Sequence, residues 1–583
     1  MNNNFLSFAE LYTHLLELPA NPTFVNHKES GHWKHFSKAE FLETVQSLAL
    51  AFEDKGWNGK QIGIAIAPSA YWLMIDYALM LSGAVSVPLF TNISSKNLRY
   101  QIKDADLHTI FIQTEEQEKT ILEADSSITC IDIDTTTTGQ PSLDSFIQNG
   151  QEIHTRDPKR FADLLTRITP DDLVTIVYTS GTSGLPKGVE LSHKNLTSQI
   201  IDTGIKYSCD PAIDSSLSLL PLAHIFERMV MHFYISTGMS IFFADDVKNV
   251  GNIMREIHPT IMTVVPRLLE KVCFKMREKA MAASFIKKNI ARIAFYRAEH
   301  KDPFSPATWL DNLLSKLLYG KFRAALGGNI RMLISGGAPL SDDLYRFFLN
   351  IGIPIYQGYG LTEASPVICA NAPGENRIGT CGRHFVHTEV KTSDDGELLA
   401  RGPGIMLGYH NNIEATNETI DTDGWLATGD LATIDSDGYV TITGRKKDLS
   451  KTSTGEYISV NYIEQLLMAT GWFDHVLVVG NDRPFVSVLL MMDHLVVNSY
   501  AKNHGLKDVA EVVETRKFQK IIFRLIKKIN RRLNHWEKVR KFYLISATLS
   551  IEDGDLTPSM KLARQRVESR FKDVIENLYA GHI

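Results

Sequence analysis

Between Gln61 and Ser95 the chain carries a single charged residue, Asp76. A run this long and this apolar could cross a bilayer as one helix. Pro68, Gly83 and Pro88 divide it, however, and an internal proline removes a helical hydrogen bond and clashes with the preceding turn. The stretch therefore reads as a strand at Ile62–Ile66, a helix at Ala70–Ser82 and a strand at Val85–Val87, preceded by a helical pattern over Glu40–Lys55. Strand, helix and strand in that order build a parallel sheet covered by helices, so no transmembrane segment is expected.

A second alternation follows Asp172 and runs to about Pro354, with strands expected at Ser240–Phe243, Thr260–Val264 and Arg331–Ile334. Between Lys391 and Thr443 the texture changes to short strands and turns such as Ser393-Asp394-Asp395-Gly396 and Asp435-Ser436-Asp437-Gly438, which predicts a smaller β-rich subdomain. Beyond Lys447 the apolar runs Val476–Val479 and Phe485–Met492 indicate a separate compact unit. At 583 residues the chain exceeds what one core supports. The expected fold is α/β: a large N-terminal domain (1–446) of αβ-layered subdomains plus the β-rich subdomain, and a small mobile α+β C-terminal domain (447–583).

A formal net charge of -6 and a pI near 6.4 argue against nucleic acid as a partner. The five cysteines are scattered without metal-ligand spacing, as expected of reduced thiols in a cytoplasmic protein. No secretory signal is visible at the N-terminus, so the Asn-x-Ser/Thr triplets at Asn92, Asn195 and Asn417 are read as accidental.

The run Tyr178 to Gly188, Y-T-S-G-T-S-G-L-P-K-G, gathers glycines, hydroxyls and one lysine into a single turn after a buried apolar strand that Thr175 interrupts. Gly181, Gly184 and Gly188 let backbone amides approach an anion; Thr179, Ser180, Thr182 and Ser183 add hydroxyl donors, and Lys187 adds charge. A nucleotide-hydrolase P-loop would need Ser or Thr after the lysine to hold magnesium, and Gly188 stands there instead.

Four further segments carry chemistry. Ser335-Gly336-Gly337-Ala338-Pro339 is a flat turn on which a planar ring could lie; Gln357 to Glu363 offers Tyr359, Thr362 and Glu363 within one turn. Trp425, Thr428, Gly429 and Asp430 set an acid after a turn, and Gly444 to Asp448 forms a basic run at the expected domain boundary. Each alone reads more readily as an ordinary turn, a solvated acid or a linker. In this order they resemble the adenylate-forming superfamily of acyl-CoA synthetases, adenylation domains and beetle luciferases, over roughly Ile62 to Ala580. The runs L-P-L-A-H-I-F-E-R at Leu220–Arg228, V-V-P-R-L-L-E-K at Val264–Lys271 and L-T-P-S-M-K-L at Leu556–Leu562 are most similar to long-chain fatty acyl-CoA synthetases.

The resemblance implies ATP-dependent activation of a medium- or long-chain fatty acid to acyl-AMP and then acyl-CoA, with ATP, Mg2+ and coenzyme A as cofactor and co-substrates. It implies that Thr179 to Lys187 cradles the β- and γ-phosphates, that Glu363 holds the metal, and that Thr362 contacts the α-phosphate. Tyr359 would stack on adenine opposite Gly337 and Ala338, Asp430 would accept the ribose hydroxyls beside Arg445, and Lys561 would be the catalytic lysine. His224 borders the expected acyl pocket. Lys447 matches the hinge and Gly455 the loop that guides the thiol. Where the family commonly has glycine before the lysine, this chain has Met560.

Residues 516–541 carry eleven Lys/Arg against one acid, Glu537, with apolar residues at helical spacing. That pattern reads as a core-facing helix with a solvated basic face, or as contact with an anionic membrane surface or the phosphates of CoA. Peripheral contact at the inner face of a membrane is thus a second expectation for location. Transfer to acyl carrier protein, another carboxylic acid, or a non-catalytic nucleotide-binding sensor remain alternatives, the last opposed by intact Lys187, Glu363, Asp430 and Lys561.

Overall fold

The computed structural model describes residues 5–133, 142–179, 185–245, 249–446, 449–453, 456–558 and 560–580. The expected strand, helix and strand after Gln61 are found at Gln61–Ile64, Ala70–Leu81 and Val85–Pro88, with the preceding helix at Lys38–Asp54. Ser37 starts that helix through a capping box in which its hydroxyl accepts from the Glu40 amide and the Glu40 carboxylate accepts from the Ser37 amide.

Two large sheets form the body. A seven-stranded sheet orders Gly408–Tyr409, Lys187–Ser192, Leu173–Thr179, Val85–Pro88, Gln61–Ile64, Thr109–Ile112 and Thr129–Asp132. Its centre is parallel, and the Leu173–Thr179 and Lys187–Ser192 strands form an antiparallel hairpin. A nine-stranded sheet runs through the parallel strands Ser215–Ser218, Ile261–Val264, Met332–Ser335 and Ile355–Gly360. Val367–Ala370 then turns back antiparallel to Ile355–Gly360.

The helices Ala70–Leu81 and Ile225–Thr237 are buried along nearly their whole length. The second of them ties the two sheets together. Arg228 donates from Nε and Nη2 to the two oxygens of Asp76, at 2.9 and 2.7 Å, and from Nη1 to Thr175 Oγ1 at 2.7 Å. Ser86 Oγ completes the cluster at 2.7 Å from Asp76, and His232 Nε2 lies 3.0 Å from it. On the other side, Glu227 accepts hydrogen bonds from Ser218 Oγ at 2.6 Å and from Thr263 Oγ1. The one charge in the Gln61–Ser95 stretch and the polar interruption at Thr175 are thus partners of one buried arginine.

The β-rich subdomain is a four-stranded antiparallel sheet, Glu389–Thr392, Glu397–Arg401, Leu426–Ile434 and Val440–Arg445. The C-terminal unit is built on Phe473–Val479, Val486–Met492 and Val539–Ile545. Alternate residues of these strands face two separate apolar clusters, so the small sheet is covered on both sides.

The basic stretch 516–541 is not one helix. Its helix ends at Ile529, a 3-10 turn covers Asn530–Arg532, and Val539 onward joins the sheet parallel to Val486–Met492. Phe518, Ile522, Ile526 and Ile529 are buried in the C-terminal core, which leaves the basic residues and Phe523 to solvent. Among the described residues no helix is long and apolar enough to cross a membrane. Cys130, Cys273, Cys369 and Cys381 are buried free thiols and Cys209 is half-buried.

Candidate active site

A cleft of about 3830 Å³ opens between the body and the C-terminal unit. Thr179, Lys187, His224, Gly337, Ala338, Tyr359, Thr362, Glu363, Asp430, Arg445 and Lys561 all line it. Residues Ser180, Gly181, Thr182, Ser183, Gly184, Lys447 and Gly455, also expected here, lie outside the described residues.

The expected phosphate loop is the connection of a hairpin, and Thr179 and Lys187 face each other across it in register. Gly188 is required by packing, since a Cβ there would lie 2.8 Å from Ile176 and 3.1 Å from His410. Lys187 Nζ sits 4.4 Å above the ring of Tyr409, whose hydroxyl donates to Glu363 Oε1 at 2.8 Å. Tyr409 is brought here by the two-residue strand Gly408–Tyr409, which pairs with Glu190 and Val189 on the returning strand of the hairpin. One tyrosine therefore bridges the candidate phosphate-binding lysine and the candidate metal-binding carboxylate. A lone aromatic after a Gly-rich run gave no signal for this in the sequence.

Tyr359 and Glu363 do not share a single turn. Tyr359 ends the strand Ile355–Gly360, and Glu363 lies on a short 3-10 turn, Thr362–Ala364. The close crossing of Pro366 over Gly360 needs glycine, because a Cβ would lie 1.8 Å from the Pro366 carbonyl oxygen. Tyr359 Oη donates to Asp430 Oδ2 at 2.6 Å, while Arg445 Nε lies 3.1 Å from Asp430 Oδ1. Asp430 and Arg445 are register partners on adjacent antiparallel strands, which is why residues separated in sequence meet edge to edge.

Gly337 adopts φ +77°, a conformation few side chains tolerate, and its nearest neighbour is Val265. Gly336 beside it lies under Phe226; a Cβ there would stand 2.8 Å from the ring. His224 caps the Ile225–Thr237 helix, its Nδ1 accepting from the Phe226 amide at 3.3 Å. The proton of the neutral ring then sits on Nε2. Burial, with the nearby charge of Lys561, pulls its pKa down to about 4.

Lys561 stands on a turn closed by the Leu556 and Leu562 bridge, with the Thr557 amide donating to the Lys561 carbonyl at 2.8 Å and the Lys561 amide to Thr557 Oγ1 at 3.0 Å. Its side chain keeps surface open to the cleft while protein crowds its other sides. That crowding, reinforced by the Arg445 charge and opposed by Asp430, lowers its pKa. Met560 occupies φ +61°, the left-handed region that glycine adopts freely.

Contacts across the cleft hold the C-terminal unit in place. Arg267 Nη2 lies 2.6 Å from Asp474 Oδ1 and 3.1 Å from Asp493 Oδ2, and Asn92 Nδ2 donates to the Pro558 carbonyl at 3.2 Å. The sequence reading missed Arg267, because its carboxylate partners lie more than two hundred positions away.

Fold and cleft together define an α/β protein with a large cleft between its body and a lysine-bearing C-terminal unit. The family model for AMP-binding enzymes matches residues 15–410, and the model for the AMP-binding enzyme C-terminal domain matches 447–582; the chain belongs to this adenylate-forming superfamily. The long-chain-fatty-acid–CoA ligase FadD15 of Mycobacterium bovis is 31% identical over 566 residues, covering 94% of this chain and 93% of the relative. Long-chain-fatty-acid–CoA ligase 5 of Rattus norvegicus is 28% identical over 587 residues, covering 95% and 85%. The same fold is seen in the adenylation domain of a carboxylate reductase from Mycobacterium chelonae (TM-score 0.75, 19% identity, 99% of this chain and 92% of that one). It is seen again in the AMP complex of O-succinylbenzoate coenzyme A synthetase from Bacillus subtilis (TM-score 0.67, 18% identity, 96% and 97%).

Proposed function

We propose that this protein is an AMP-forming acid–thiol ligase that converts a medium- or long-chain fatty acid to acyl-AMP and then to acyl-CoA. The observation that carries the reading is Lys561, brought by the C-terminal hairpin into the same crowded cleft as Asp430, Arg445 and His224. In the first step a carboxylate oxygen of the acid bonds to the α-phosphorus of ATP and the bond to pyrophosphate breaks. In the second the sulfur of CoA bonds to the acyl carbon, its proton is lost, and AMP leaves.

Lys561 would neutralise charge that develops on the α-phosphate and carboxylate oxygens; a donor so placed is worth roughly 3 to 4 kcal/mol. Thr362 would contact the α-phosphate, and Lys187 with Thr179 through Gly184 would hold the departing phosphates. Asp430 presents two oxygens to the ribose hydroxyls, with Tyr359 and Arg445 fixing its plane. Tyr359 would face adenine across from Gly337 and Ala338. His224, already engaged as a helix cap and neutral, is suited to shaping the pocket rather than to proton transfer.

Mg2+ would supply charge neutralisation on the phosphate oxygens. Among the described residues no cluster of three or more His, Cys, Asp or Glu could hold a metal by itself. Glu363 fits the alternative, a single carboxylate beside substrate phosphates, since among the described residues only its Oε1 is engaged, by Tyr409. We further propose that the chain divides at 446/447 into the adenylation domain and a mobile C-terminal domain. Lys447 would be the hinge and Gly455 part of the thiol-guiding loop, so that one rotation withdraws Lys561 and admits CoA.

Pyrophosphate release measured with a panel of carboxylic acids, with and without CoA or acyl carrier protein, tests this reading. Release that depends on a straight-chain acid and is driven to turnover by CoA supports it. Nucleotide binding without release for any acid sinks it.

A further inference from the structure

The helix Phe285–His300 is apolar on two sides. Ala291, Ala294, Phe295 and Ala298 pack into the core, whereas Phe285, Ile286, Ile293 and Tyr296 project to solvent, with Phe285 79% and Ile286 72% exposed. The spacing 286, 293, 296 places them on one outward face. The next helical segment repeats the feature. Trp309 is 76% exposed, and Leu313 and Leu317 follow at intervals of four on the same stripe. Arg297 ties the two segments together through Asp311 and Thr308. Large apolar side chains concentrated in this way mark an interaction surface rather than the scattered exposure of an ordinary protein.

The charges between residues 282 and 321 indicate what covers it. Seven Lys/Arg stand against three acids in a chain whose net charge is -6. The acids are already engaged: Glu299 by Arg277, Asp311 by Arg297 and Lys301, and Asp302 by the Phe304 amide. The side chains of Lys287, Lys288, Arg292, Lys316 and Lys321 make no hydrogen bond or ion pair among the described residues. Unpaired cations interleaved with Trp, Tyr, Phe and Ile are the composition of a helix lying in a lipid interface. A protein partner would need to bring a matching acidic and apolar face, and a second copy of this chain would set the five cations against their own kind.

We infer that the face formed by Phe285–His300 and the following segment through Leu317 docks the protein on a bilayer bearing anionic headgroups. The basic helix Arg516–Ile529 exposes a single large apolar side chain, Phe523, against seven on the face from Phe285 to Leu317, so it is the weaker candidate for the anchor. The docking helix also reaches the cleft, where its Glu299 lines the wall beside Arg277 of the preceding helix. Docking face and cleft are therefore two sides of one helical layer.

The experiment is sedimentation of the full-length protein with phosphatidylcholine vesicles containing or lacking phosphatidylglycerol, at low and high salt. Each cation near an anionic surface changes binding by about fivefold. Wild type should pellet only with the anionic vesicles at low salt, and Lys287→Glu/Lys288→Glu and Ile286→Asp/Ile293→Asp should each lose at least tenfold. Both variants should retain activity on a water-soluble short-chain acid, which excludes misfolding. Lys520→Glu/Arg524→Glu should bind vesicles as wild type does. Wild type that stays in the supernatant overturns the inference, as does loss of binding in the Lys520/Arg524 variant alone. It is equally overturned if the patch variants turn a dimer into a monomer while vesicle binding is unchanged.

Discussion

Glu227 and Arg228 are consecutive residues of one helix whose side chains reach different sheets: Glu227 holds Ser218 and Thr263 of the nine-stranded sheet, and Arg228 holds Thr175 of the seven-stranded one together with Asp76 of the helix Ala70–Leu81 that packs beside it. Burial raises the Glu227 pKa from 4.5 to about 7. Burial also acts on Asp76, but the Arg228 charge and the His232 hydrogen bond outweigh it and leave its pKa lowered.

These shifts have opposite signs in stability. For Glu227 the folded state holds the proton more tightly, so its contribution is complete below the unfolded value of 4.5 and is lost as pH rises through about 7. Glu227→Gln should therefore gain on wild type as pH rises, by on the order of 3 kcal/mol at full ionisation. Thermal melts of both proteins from pH 5 to pH 9 check this, and parallel melting curves at all pH values would refute it. Removing Arg228 strands Asp76 and should cost about 3 to 5 kcal/mol.

Lys561→Ala should slow pyrophosphate release by about 100- to 1000-fold while conversion of supplied acyl-AMP to acyl-CoA changes little. It should also raise the His224 pKa from about 4, because one of the two causes of its depression is gone. Histidine titration by NMR reads this without reference to activity. The ring should remain below 6.5, since burial is the larger cause.

Met560→Gly should relieve the positive φ on the turn that carries Lys561 and gain about 1 kcal/mol of local stability, visible as slower amide exchange at Thr557 and Lys561. Met560→Val should do the reverse. Adenylation by the glycine variant should be at least as fast as by wild type. A faster exchange in the glycine variant would show that the methionine side chain, not the backbone, sets the turn.

Arg267→Ala removes the ion pairs to the partly exposed Asp474 and the buried Asp493, Arg267 itself being partly open to solvent. The expected loss is about 1 kcal/mol, or roughly fivefold in the adenylation half-reaction, with the thioester half-reaction unaffected or faster. Raising ionic strength should reproduce this in wild type and add nothing in the variant.

Lys447→Pro should spare acyl-AMP formation and block the thioester step, because a fixed φ opposes a hinge rotation. Single-turnover assays of each half-reaction decide it; equal loss of both would reject Lys447 as the hinge.

Strand and helix positions in the body were legible because apolar periodicity and Pro/Gly punctuation are local. Asp76 and Thr175 were visible as anomalies, but nothing local announces that Arg228, more than a hundred and fifty positions from Asp76, joins them. Segment 516–541 misled for a related reason: helical spacing continued in sequence to Leu533 and Trp536, past Ile529 where the helix ends, and strand pairing with Val486–Met492 begins at Val539. The candidate site was readable where family-like motifs lie, from Lys187 to Lys561. Tyr409 and Arg267 were not, since each matters through partners that only the folded chain brings near.

The helix that carries Glu227 and Arg228 also presents Met229 and Val230 to the cleft. Anchored at both sheets, it has no freedom to slide along its axis without stranding a buried charge. A cavity whose wall cannot shift acts as a ruler with fixed graduations. Under the proposed function, selection among acids of different length would then be adjusted by changing the bulk of the side chains that face the cavity, while the frame that measures them stays constant.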